Sequence, residues 1–165
     1  MDPIYFGNSG ADFSACGKYR YRLWRQWSDG PSVAFLMLNP STADADRNDP
    51  TVERCHRRAV DMDCGALEVI NLFAFRATDP KDLKKASKPV GTDNDDVLVE
   101  TCRRVDMTIC SWGAHGIHQA RDQAVRDLLR KAEIKTHILA LTKFDQPRHP
   151  LYLSYKMKPV PWLDM

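Results

Sequence analysis

The chain has 165 residues, 43% of them hydrophobic and 28% charged, which suits one globular domain with its own core and excludes a disordered or fibrous chain. Lys plus Arg number 24 against 22 Asp plus Glu, a net charge of +2 with neutral histidines. That balance excludes a chain-wide basic coat holding nucleic acid by charge alone.

Residues 1–18 read as an N-terminal extension and residues 19–165 as a single α/β domain. The first 17 residues lack a basic start followed by an apolar core, so no secretory leader is expected. Residues 19–24 alternate aromatic or apolar with basic side chains, as a strand with one wet face does. The run S-V-A-F-L-M-L (32–38) is continuous and apolar, the pattern of a strand buried on both faces. Asp49 then stands as an N-cap, Pro50 at the first helical position and Glu53 in the first turn, which predicts a helix over 50–62. A second buried strand is expected at 66–70, a helix capped by Asp93 or Asn94 running through Cys102, and a weaker strand at 105–110. Residues 119–132 read as a helix with Ala120, Ala124, Val125, Leu128 and Leu129 on one face, and residues 136–141 as a last strand. Strands alternating with helices at this spacing imply an α/β fold with a parallel-rich sheet.

Every apolar run is followed by polar or small residues: Asn39-Pro40-Ser41-Thr42, Asn71, Ser111-Trp112-Gly113, and Thr142-Lys143 leading to Pro147-Arg148-His149-Pro150. In a parallel sheet these positions share the carboxyl edge, where α/β folds bind ligands. Asn39 and Asn71 read either as turn formers or as amides that hold a water or read a ligand bearing both donors and acceptors. An amide has no basic state near neutrality, so the chemistry it supports needs a positioned water rather than an ionised one. His149, between two prolines, is either a surface residue or a side chain held at low entropic cost.

No set of His, Asp and Glu has ligand spacing, and Asp44, Asp46 and Asp49 lack the Gly and distal Glu of an EF-hand. They read as a solvated turn and a helix cap, and no metal or cofactor is expected. The five cysteines include no C-x-x-C pair, and no apolar stretch approaches the roughly 20 residues of a membrane span. Free thiols in a cytoplasmic protein, with no membrane partner, are the expectation. Basic residues gather at 18–29 (Lys18, Arg20, Arg22, Arg25, against Asp29) and again at 143–165 (Lys143, Arg148, Lys156, Lys158, against Asp145 and Asp164). Tyr152, Tyr155 and Trp162 interleave with the second group, which suits either base stacking or a packed C-terminal segment.

The strings L-N-P-S-T-A-D (38–44), D-P-T (49–51), N-L-F-A-F-R-A-T-D-P (71–80), P-V-G (89–91), W-G (112–113) and P-R-H-P-L-Y-L (147–153) resemble an uncharacterised bacterial and phage domain-of-unknown-function family. The resemblance covers nearly all of the chain after residue 19. More distantly, the order of motifs is similar to the uracil-DNA glycosylase superfamily. That likeness implies a three-layer α/β/α fold with a mostly parallel central sheet. It implies that Asn39, followed by Pro40 and Ser41, positions the attacking water and that Asn71 reads the base. The segment from His149 to Leu153 would be the late loop that enters the duplex.

Within that frame His149, in its neutral form, stabilises the departing base beside Arg148. Phe73 or Trp112 stacks on the base, Gly113 permits close approach, and Leu151 or Tyr152 fills the space it leaves. The string after Asn39 lacks the following Gly or Tyr-His elements of several active branches, and the acidic 44–49 loop opposes duplex phosphates. The expected function is DNA glycosylase-like cleavage of the N-glycosidic bond of a base or modified base. The alternatives are a nucleic-acid or nucleotide-binding module without turnover, or a hydrolase of a free nucleotide-like metabolite.

Overall fold

The structure, a computed structural model, describes residues 8–162. Residues 1–7 of the expected N-terminal extension, and 163–165, lie outside the described residues. Seven strands form one sheet: β1 (Asn8–Phe13), β2 (Arg20–Gln26), β3 (Ser32–Met37), β4 (Ala66–Asn71), β5 (Met107–Cys110), β6 (Thr136–Ile138) and β7 (Val160–Pro161). Their spatial order is β1-β2-β4-β3-β5-β6-β7. The pairings β4–β3, β3–β5 and β5–β6 are parallel, whereas β1–β2, β2–β4 and β6–β7 are antiparallel. The sheet is therefore mixed, and the expectation of a mostly parallel one fits its centre alone.

Four α-helices connect or flank the strands: α1 (Pro50–Asp61), α2 (Pro80–Lys85), α3 (Asn94–Arg104) and α4 (Arg121–Lys131). Strand β3 alternates between two cores. Val33, Phe35 and Met37 pack with Val52, Cys55 and Ala59 of α1. Ala34 and Leu36 pack with Leu98 and Cys102 of α3 and with Val125 and Leu129 of α4. Burial of both faces explains why β3 is apolar without a break. The chain leaves β3 toward α1 and leaves β5 toward α4, so the two loops diverge to opposite faces at the carboxyl edge. Such a switch point opens a crevice.

Several elements differ from the sequence reading. Residues 8–13 of the expected extension form β1, laid antiparallel on β2. In that pair Asp12 is opposite Arg22 and Phe13 opposite Arg20, so Tyr21 is an extra residue and β2 is bulged. The last strand ends at Ile138, because Ala140 and Leu141 pair with the returning chain: Arg148 donates to the Ala140 carbonyl at 2.9 Å, and Leu141 bridges to Pro147. Helix α4 begins at Arg121, since Gln119 and Ala120 hold left-handed φ values of 54° and 53°. Its inner face carries Arg121, Asp122, Val125 and Leu129, while Ala120 and Ala124 are exposed. Arg121 is satisfied there by the Leu72 carbonyl at 2.8 Å and by Asp95, and Asp122 accepts from Gln146 at 3.1 Å.

Candidate functional site

The loop after β3 is zipped onto the loop after β4. Leu72 and Phe73 donate their backbone N–H groups to the carbonyls of Met37 and Leu38, and Ala77 donates to Pro40. Asn39 sits at this seam, half-buried, with Nδ2 donating to Ala77 at 2.8 Å and to its neighbour Pro40 at 3.0 Å. Carbonyls on two sides require a donor there, so the amide orientation is fixed. Its Oδ1 accepts none of the hydrogen bonds formed among the described residues and keeps a set direction. Pro40 is buried, and the Ser41 hydroxyl meets that of Thr78 at 3.1 Å.

Two arginines of β2 grip the rest of this loop from inside. Arg20 donates to the Ala43 carbonyl at 3.1 Å and Arg25 to the Asp44 carbonyl at 2.6 Å. Both are essentially inaccessible, at 1% and 0% exposure. Burial lowers the Arg20 guanidinium to a pKa of about 10, with Asp49 pulling it back up. Asp49 caps α1 by accepting from Val52 at 2.9 Å and also accepts from Ala43 at 3.2 Å. Asp44 accepts from the backbone of Asp46 and Arg47, which closes the turn expected from the sequence and lowers its carboxyl below the usual range. The basic stretch at 18–29 is thus spent largely on the interior: Arg20 and Arg25 hold the loop, and Arg22 pairs with Glu68 and Asp12.

Asn71 ends β4 directly opposite Met37, with 2% exposure, and its Oδ1 has no partner. Ser111, just past β5, donates its N–H to the Leu36 carbonyl at 2.8 Å, and its buried Oγ is likewise unpartnered. Both side chains flank Met37 at the edge where the β3 and β5 loops part. Ser111 and the buried arginines were not singled out as site residues by the sequence, because their position depends on strand order. Of the two expected caps of α3, Asp93 holds the N-cap position, and Asn94 donates to the carbonyls of Asn71 and Leu72 and ties α3 to the end of β4.

His149 lies beside Gly113, where a Cβ would come within 3.7 Å of the His149 Cβ. Gly113 has φ +78° and donates to the Pro147 carbonyl at 2.7 Å, so a left-handed residue is needed for this approach. His149 Nδ1 accepts from Leu151 N–H at 3.1 Å, which places the proton of the neutral ring on Nε2. Burial lowers its pKa and Asp49 opposes that shift. Arg148 is exposed, Leu151 half-buried, and Tyr152 exposed at 85%. Asn39 and His149 form no hydrogen bond with each other.

Phe73 and Trp112 belong to the core rather than to an open stacking surface, at 0% and 1% exposure. Trp112 donates to Gln146 at 2.8 Å and leans on Trp162, and Gly116 is small because the indole lies against it. Of the C-terminal aromatics, Tyr155 sits beneath Arg54 and Arg58, and Trp162 beneath Arg126. Tyr152 alone of the three is exposed.

The cysteines are free; burial pushes the thiols of Cys55, Cys64, Cys102 and Cys110 up, while Cys16 is exposed. Among the described residues no three His, Cys, Asp or Glu side chains group as metal ligands, and no helix is long and apolar enough to cross a membrane. A cavity of about 640 Å³ lies elsewhere, between Tyr19, Tyr21, the 87–92 strap and Gln119, and none of the expected site residues lines it.

No curated protein and no solved structure matches the chain. A family model described as "Protein of unknown function (DUF1643)" matches residues 20–151, a span that holds Asn39, Asn71, Ser111 and His149. The chain belongs to the DUF1643 family.

Proposed function

We propose that this protein is a hydrolase of N-glycosidic bonds, built like a uracil-DNA glycosylase as a three-layer α/β/α domain, and that it releases a base from DNA. The observation that carries the reading is the Asn39 amide. Its nitrogen end is held by the Ala77 and Pro40 carbonyls, which leaves Oδ1 as a fixed acceptor able to align water without ionising it. A sugar that develops oxocarbenium character needs an aligned nucleophile rather than a strong one. The leaving base develops negative charge, for which His149 Nε2–H is a neutral donor. Asn71 Oδ1 and Ser111 Oγ have no partner among the described residues, but at 2% and 0% exposure they lie behind the surface that a base would meet.

A second reading takes a free nucleotide-like metabolite as substrate. The burial of Arg20 and Arg25 favours it, because it removes cations from the set available to DNA phosphates.

The test is release of base from oligonucleotides carrying uracil, hypoxanthine or modified pyrimidines, with free nucleosides alongside. Asn39→Ala and His149→Ala are each expected to slow release by about 100-fold or more while the fold persists. Release from nucleosides alone supports the metabolite. Binding of oligonucleotides without release from any substrate overturns the hydrolase in favour of a binding module.

A further inference from the structure

We infer that the segment running from the 141–147 turn to Tyr152 is a docking surface for single-stranded DNA, distinct in its residues from Asn39. The inference rests on the proposed function for its occupant, DNA, and on the following geometry for the rest. The turn is closed at its stem by the Leu141–Pro147 bridge and inside by Thr142, whose N–H donates to the Gln146 carbonyl at 2.7 Å. Asp145 holds a left-handed φ of 59° at the tip. A tight, internally bonded turn presents its side chains outward, and Phe144 is 69% exposed.

Lys143 Nζ lies 5.1 Å from the centre of the Phe144 ring. The chain then passes exposed Arg148 and half-buried His149 and ends in a short 3-10 turn that displays Tyr152 at 85% exposure. Two exposed rings on internally fixed turns therefore lie on either side of His149 along the chain. From 141 to 158 the cations are Lys143, Arg148, Lys156 and Lys158 against the single acid Asp145. Asp49, which faces His149, is buried in its capping role.

Charge and ring exposure together select the strand form. Arg20, Arg25, Arg58 and Arg121 are buried, and Arg54 donates to the Leu153 carbonyl. Outside this segment Arg47 and Arg57 stay exposed, in the acidic 44–49 loop and on α1. The segment itself offers phosphates Lys143, Arg148, Lys156 and Lys158, a short row rather than a duplex-length track. Exposed ring faces are usable only by bases that are out of the stack, and every base offers such a face. The surface thus holds unpaired nucleotides next to the base that enters the mouth.

Fluorescence anisotropy with a fluorescein-labelled oligothymidylate and the corresponding duplex tests this on the full chain. The expected result is tighter binding of the single strand by at least tenfold. Phe144→Ala and Tyr152→Ala should each weaken it about 5- to 100-fold. Lys143→Gln with Arg148→Gln should flatten the salt dependence by a slope of about 1.4. Thermal melts of the variants should match the parent, because both rings are exposed.

The Asn39→Ala variant should bind the oligonucleotide like the parent, which separates docking from turnover. Equal or tighter binding of duplex, a preference for the matching RNA strand, or unchanged affinity in both aromatic variants overturns the inference. If bases are still released under any of those results, the glycosidic reading stands without this surface. If the single strand binds as expected and nothing is released, the surface stands without the reaction.

Discussion

Replacing Asp49 with alanine strikes the candidate site at its most connected point. The carboxylate caps α1 through Val52 N–H at 2.9 Å and holds Ala43 N–H at 3.2 Å, and the residue is 8% exposed. Loss of an N-cap costs about 0.5–2 kcal/mol. Ala43 is 1% exposed, so its N–H would be left without a partner away from water, which costs about 1–3 kcal/mol. The two effects together predict a destabilisation of about 1.5–5 kcal/mol, or a melting point lower by about 3–20 °C for a domain of this size.

Urea unfolding followed by far-ultraviolet circular dichroism measures it, with Asp46→Ala as the companion. Asp46 is exposed, and its alanine variant should stay within about 0.5 kcal/mol of the parent. Asp49→Asn, which keeps a capping oxygen, should recover most of the cap contribution. A cost for Asp49→Ala as small as that of Asp46→Ala would refute the claim that one carboxylate organises both the helix start and the loop.

Further outcomes follow from other sites. Gly91 has φ +91°, and a Cβ there would fall 2.9 Å from the Tyr21 ring, whereas Gly17 has φ +74° with nothing within 4 Å. Gly91→Ala should therefore cost about 2–4 kcal/mol and Gly17→Ala about 1–2 kcal/mol, a difference readable in parallel urea titrations. Burial lowers the pKa values of His56 and His149 in the native state. Below pH of about 6.5 the unfolded chain takes up protons that the native state refuses, so stability present above that pH is lost as pH falls. Unfolding titrations across that range should show the decline, and His56→Gln with His149→Gln should shrink it. Because Asp49 supports the charged imidazole, Asp49→Asn should lower the His149 pKa further, as read by NMR of the ring protons.

The central sheet was legible because β3, β4 and β5 are buried on both faces and therefore mostly apolar, with Glu68 in β4 and Thr108 in β5 as the breaks. Helix α1 was legible because Asp49-Pro50 combines a cap with a fixed φ. Strand β1 carries no such signal: N-S-G-A-D-F lacks both alternation and β-branched residues. It forms because Gly10 leaves room for the Trp24 ring. The placement of Asn39, Asn71 and Gly113 at strand ends was readable locally, since Asn39 and Asn71 directly follow apolar runs and Gly113 comes three residues after Cys110. The roles of Arg20 and Arg25 were not. R-Y-R-L-W-R-Q alternates like a strand with a basic wet face, and only carbonyls supplied by a loop some 20 residues away reverse that reading. Phe73 and Trp112 failed as stacking residues for the same reason, because tertiary neighbours decide which aromatic faces stay open.

The extra residue in β2 has a consequence for how the L-N-P-S-T-A-D loop is inherited. Because Tyr21 is skipped in the ladder, Arg20 shares a face with Leu23 and Arg25; a plain two-residue alternation running through Tyr21 would turn Arg20 toward the face of Glu68 and withdraw its guanidinium from the Ala43 carbonyl. Replacing Tyr21 would leave that grip in place. The loop's shape is thus encoded partly as a residue count in a strand two positions across the sheet. A register shift that drew Tyr21 into the ladder would leave every letter of the loop intact and still dismantle it.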